Sequence, residues 1–194
     1  MPSLMHRLAS VDEAAQLILQ GRPCCVAGDE ALLNEAREHL DRILAGSDVF
    51  LARFASAVML FDDNPSWWQR LTSERDEQPI DLKKLGTFPI VHGVRALALQ
   101  QRLRPTGTAA RLRLLVERDL IDAELARDVL DALHFAMALK LTHQLRQRAA
   151  GLQPSNEVRP SELGTLERDP LHDALGIVRR FRGTLQQKFR LNSL

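Results

Sequence analysis

The stretch "AELARDVLDALHFAMALKLTHQLRQRAAG", Ala123 to Gly151, most limits what this chain can become. Its apolar residues return every three or four positions, the period of an amphipathic helix, over far more turns than any neighbouring segment. Asp122 before it is a good helix-capping residue, and Gly151 after it is a good stop. A helix of this length predicts a bundle with a long central helix.

The same period runs through most of the remaining chain, and strand-like alternation is hard to find. A first short helix is expected over about residues 11 to 20, where Ser10 and Glu13 have capping-box spacing and Gly21 supplies a stop. A second is expected from about Glu30 to Leu44, ending at Gly46. Ser47 is placed to cap a third, in which Phe50, Leu51, Phe54, Ala55, Val58 and Met59 share one face, ending near Asn64-Pro65. "TSERDEQP", residues 72 to 79, lacks apolar side chains and reads as an exposed connection.

Beyond it, Pro89 suits the first turn of a helix carrying Ile90, Val91, Val94, Leu97 and Ala98, which "RPTGT" should end. Thr108 is expected to cap a short helix through Glu117. "LQPSNEVRPSELG" reads as a loop holding about one helical turn, and Leu171, Leu175, Val178, Leu185 and Phe189 mark the inner face of a last helix. The fold class is therefore all-α, in two parts: an N-terminal helical segment over residues 1–78 and a C-terminal domain over 79–194.

With 194 residues, 45% of them hydrophobic and 26% charged, the chain has the composition of a soluble globular protein. Its 26 basic and 25 acidic side chains nearly cancel, so no overall field draws it to nucleic acid or an anionic membrane. No apolar run approaches the ~20 residues that span a bilayer, and a cytoplasmic location is expected. Cys24 and Cys25, the only cysteines, are adjacent and suit two small apolar side chains better than a disulfide.

Ordered blocks, "IDLKKLGTFPIVHGVRALAL", "TAARLRLLVERDLI", "LKLTHQL" and "NEVRPSELGTLERDPLHDAL", resemble the C-terminal domain of a bacterial nucleotidyltransferase family. In that family the domain is described as substrate-binding. It follows a nucleotidyltransferase domain and often cyclic-nucleotide-binding and CBS domains. Upstream, "GRPCCVAGDEALLNEAREHL" and "FLARFASAVMLF" are similar to the helical tail of the preceding catalytic domain.

Nucleotidyl transfer needs a Gly-Ser turn for the triphosphate and, on a strand, two acids for Mg²⁺. Gly46-Ser47 followed by Asp62, Asp63 and Asn64 fails this pattern, since Asn64 stands where the second acid belongs and the intervening segment reads as a helix. The resemblance therefore implies a recognition module, with no cofactor of its own. Mg²⁺ and a nucleotide enter only where a catalytic domain is supplied elsewhere. The expected partners are that catalytic domain or its protein substrate, with a nucleotide ligand and a homodimer left open and nucleic acid and membrane excluded.

The candidate binding residues are Asp81, Lys83, Lys84, Arg95, His143 and Gln144. A helix N-terminus offers unpaired N–H groups and partial positive charge, and Lys83 and Lys84 sit just before one, with Gly86 allowing close approach. In one reading the lysines and Arg95 hold an anion while Asp81 orients a lysine. In the other, Asp81 and Arg95 form an ion pair, Gly86 and Pro89 shape the entry and the lysines are solvated.

His143 and Gln144 are consecutive on the long helix, so only one faces the core, and bracing of the loop near Asn156 competes with ligand contact. Lys140 stands where the family commonly has arginine, which weakens any anion site relying on it. His172-Asp173 lacks the further ligands of a metal site, and the C-terminal basic run is expected to leave Arg179, Arg180 and Arg182 in solvent.

Overall fold

The structure is a computed structural model, and it describes residues 29–44, 47–60 and 79–191. The expected helix over 11–20, Cys24 and Cys25, Gly46, and Asp62, Asp63 and Asn64 lie outside the described residues.

Helix α1 covers Glu30–Leu44, and the Asp29 carboxylate accepts from the Ala31 N–H at its start, at 2.8 Å. Helix α2 covers Asp48–Ser56, capped by Ser47 Oγ, which accepts from the Phe50 N–H at 3.1 Å, and it tightens into a 3₁₀ turn over Ala57–Met59. Strand β1 is only Ile80–Asp81. A π-helical turn over Lys83–Thr87 then leads into α3, Phe88–Gln100, with Pro89 in its first turn. Helix α4 is Thr108–Glu117 and α5 is Ala123–Ala149. Strand β2, Glu157–Val158, and a 3₁₀ turn at Pro160–Glu162 precede α6, Thr165–Lys188.

The caps explain most of these boundaries. Asp122 accepts from the Leu125 N–H at 2.9 Å, and Gly151 takes the left-handed conformation, φ +75°, that closes α5. Two expectations change. Thr108 is the first residue of α4 and makes no cap; the preceding residue is Gly107 in extended conformation. Helix α3 ends at Gln100, ahead of "RPTGT", because Arg102 turns left-handed and the Leu103 N–H returns to the Ala98 carbonyl at 2.8 Å.

Helix α3 is buried on nearly every side, as an almost continuously apolar helix must be. Around it, α2, α4, α5 and α6 contribute Phe50, Phe54, Leu115, Val129, Phe181 and Leu185 to one core. Each such side chain contributes about 1.5–3 kcal/mol when fully buried. Residues of α2 thus share a core with residues up to Phe189.

Helices α5 and α6 run antiparallel. Arg146 meets Glu167 at one end, Asp128 meets Arg180 along the pair, and Lys188 Nζ donates to the Leu120 carbonyl at the other end, at 2.6 Å. The inner face of α6 holds Val178, Phe181, Leu185 and Phe189 as expected. Arg182 departs from expectation: only 2% exposed, it lies four residues after Val178 and three before Leu185, on the packed stripe. Among the described residues, no helix is long and apolar enough to cross a membrane.

Candidate functional site

Beyond α3, the far end of the bundle holds a second, smaller core of Ile80, Leu82, Leu139, Val158, Leu163 and Leu171. Ile80 pairs with Val158 and Asp81 with Glu157 in an antiparallel two-residue ladder. Both apolar partners of that ladder point into this core, so burial fixes its register. A polar edge forms over the core, and most of the candidate residues meet there.

Asp81 is the cap of the turn that follows. Its Oδ1 accepts from the backbone N–H groups of Lys83 and Lys84, at 2.8 and 2.9 Å, and its Oδ2 lies 3.6 Å from the Lys84 ammonium. The carboxylate therefore occupies the position at this helix start that a bound anion would take. Lys83 and Lys84 are exposed.

The Leu82 N–H donates to the Asn156 carbonyl at 2.9 Å, and Gln144 Nε2 donates to Asn156 Oδ1 at 3.4 Å. Gln147, one turn further on, accepts from the Ser155 N–H at 2.8 Å and donates to Ser155 Oγ at 3.1 Å. Two glutamines on one face of α5 thus hold the loop that carries β2. This bracing follows the reading of Gln144 near Asn156, while Gln147 was passed over; its signal was its place three residues after Gln144.

His143 turns inward, 5% exposed, with Nε2 buried and without a hydrogen-bond partner among the described residues. Beside it, Arg146 and Glu167 form a bidentate pair, with nitrogen to oxygen distances of 3.0 and 3.4 Å. Burial pushes the Glu167 carboxyl up, but the Arg146 hydrogen bond and charge, the Gly164 N–H and nearby His143 together hold it below the usual value. Arg168 donates to the carbonyls of Pro160 and Leu163, at 3.1 and 2.9 Å, fixing the 3₁₀ turn against α6.

Gly86 serves packing: a Cβ there would stand 3.2 Å from that of Ala136, so the glycine lets the turn lie close against α5. Arg95 lies on α3. It is half-buried, near enough to His92 for its charge to act on that ring. The His172 imidazole lies 3.7 Å from Asp173, which is 82% exposed, and no metal-binding cluster occurs among the described residues.

These features define a helical-bundle domain with one stapled, mixed-charge edge. Residues 48–189 match the family described as "Putative nucleotidyltransferase substrate binding domain", and the chain belongs to that family. The matched span opens on the first residue of α2 and closes on Phe189, so it coincides with the main core. Among curated proteins and solved structures, none matches this chain.

Proposed function

We propose that this chain is a substrate-binding or regulatory module of a signalling nucleotidyltransferase system, presenting a substrate or partner protein to a catalytic domain that is separate from the helices described. The family match over residues 48–189 carries this reading. The polar edge supports it in detail. Exposed Lys83 and Lys84 stand beside a carboxylate that already satisfies the local backbone donors, an arrangement suited to a protein surface bearing both signs of charge.

A nucleotide held by Lys83, Lys84 and the helix start is the second reading. It is disfavoured by Asp81, whose negative charge lies where the phosphate would sit. A ligand that binds only the folded state must raise the melting temperature. Nucleoside di- and triphosphates are therefore expected to leave it unchanged.

The test supplies the chemistry from outside. A nucleotidyltransferase domain from a family member is incubated with a labelled nucleoside triphosphate, Mg²⁺ and its protein substrate, with and without this chain. Labelling of the substrate should rise when the chain is present, and the chain alone should transfer nothing. Transfer by the chain alone, surviving controls for contaminants, overturns the proposal.

A further inference from the structure

Charge and apolarity divide α5 near its middle. Its first turns carry Glu124, Asp128 and Asp131 and expose no large apolar side chain. From Ala132 to Asn156 the chain has no acid at all, and there Met137, Leu141 and Leu145 are 51%, 55% and 58% exposed. Four-residue steps align these three on the outer face, while Ala136, Leu139 and His143 of the same turns face inward. The apolar row begins where the acids end.

One flank of the row is the polar edge. Gln144, three residues after Leu141, borders the row, and its amide reaches Asn156, whose carbonyl takes the Leu82 N–H just ahead of Lys83 and Lys84. Lys140, four residues before Gln144, lies on the same flank, and exposed Arg148 stands three residues beyond Leu145. Lys83, Lys140 and Arg148 have no acidic partner among the described residues, and Lys84 shares Asp81 with two backbone N–H groups. Exposed Glu157, across the ladder from Asp81, still leaves the balance positive. The surface is an apolar row bordered by unmatched cations.

We propose that this surface binds an acidic amphipathic helix of the partner protein, with large apolar side chains at four-residue spacing and carboxylates beside them. The apolar side chains pack on Met137, Leu141 and Leu145, and the carboxylates reach Lys83, Lys140 and Arg148. Charge selects this occupant, because a second copy would bring the same unmatched cations to face one another. Three apolar side chains on a helix fixed in the bundle offer too little surface to hold a membrane. A single helix on this face makes a transient contact of the small size class. The proposal rests on the reading of the chain as a recognition module and adds the chemistry of what it recognises.

The probe is a fluorescent peptide of about five helical turns, with leucine at every fourth position and glutamate on both flanks. Titrated with the full chain, it should bind one to one, and at least about tenfold more weakly at ~0.5 M salt than at ~0.05 M, since exposed charges are screened. The same peptide with lysine in place of glutamate should bind at least about tenfold more weakly. Equal binding of the two peptides, no binding up to ~1 mM, or binding of the chain to anionic lipid vesicles in place of the peptide overturns the proposal.

Leu141→Glu, a change at an exposed position, should abolish binding with unchanged helical circular dichroism, and a folded variant that binds like wild type overturns the proposal. Should that variant fail to fold, amide resonances of the wild type carry the test. The peptide should shift those of Lys140, Leu141 and Leu145, and shifts centred on another face overturn the proposal. Shifts of the row with the chain's own concentration, without peptide, assign it to a second copy and overturn it too. Binding is read without nucleotidyl transfer, so its failure leaves the stimulation assay free to succeed, and failed stimulation with the peptide still bound counts against the proposed function alone.

Discussion

His92 on α3 donates its Nε2 hydrogen to the Phe54 carbonyl of α2 at 2.7 Å, across 38 residues of sequence. Its ring stacks on Phe54 and Phe88, with centroids 4.3 and 5.1 Å away. Burial lowers its pKa most, the Phe54 hydrogen bond pulls the other way, and the Arg95 charge lowers it further, so the ring stays neutral below the ordinary 6.5.

This burial makes stability depend on pH. The unfolded chain takes up a proton at His92 near pH 6.5 and the folded chain resists it, so stability is full above that pH and is lost as pH falls. Urea unfolding at pH 7.5 and 5 should show a smaller loss for His92→Gln than for wild type. Equal losses would contradict the assignment.

Gly93, the next residue, lies against α6. A Cβ there would come within 2.5 Å of Leu185 Cδ1 and 2.8 Å of Phe181 Cε1, and both side chains are fully buried. Gly93→Ala should destabilise the chain by about 1–3 kcal/mol, the range for overpacking a tight core. Denaturant midpoints will show it.

At the polar edge, structural and recognition roles separate by residue. Asp81→Ala removes a cap serving two N–H groups and should cost about 1 kcal/mol. Lys83→Ala, at an exposed position, should change stability by less than ~0.5 kcal/mol. A larger loss in the lysine variant than in the aspartate variant would reverse the two roles.

Gln147→Ala removes both bonds to Ser155. Hydrogen exchange at the Ser155 amide should accelerate, while exchange at buried α3 amides stays near the wild-type rate. Acceleration throughout would mean that the loop supports the whole bundle.

The helices were legible because each carries its own local signal. Ser47, Pro89, Asp122 and Gly151 act within one turn of their own position, where sequence spacing and structure coincide. The two-residue ladder of β1 and β2 was not legible: four residues are too few to show alternation, and their pairing spans the whole of α3, α4 and α5.

Arg182 lies at the margin of the stripe that Val178, Phe181 and Leu185 define, where phase alone does not separate inside from outside, and the structure buries it. No sequence signal marks His92, because its partner is a backbone carbonyl, which no residue type announces. At the site, Asp81 and Gln144 were recognisable as polar residues beside a turn. Their partners, the N–H groups of Lys83 and Lys84 and the side chain of Asn156, belong to the folded edge.

The most direct measurement of the central claim compares wild type with the double variant Lys83→Glu, Lys84→Glu in the assay with an added catalytic domain. Recognition through the polar edge predicts that stimulated labelling of the protein substrate falls at least about tenfold, equivalent to ~1.4 kcal/mol of lost interaction, with little change in melting temperature. Stimulation equal to wild type by a folded double variant would contradict the claim that this edge does the recognising.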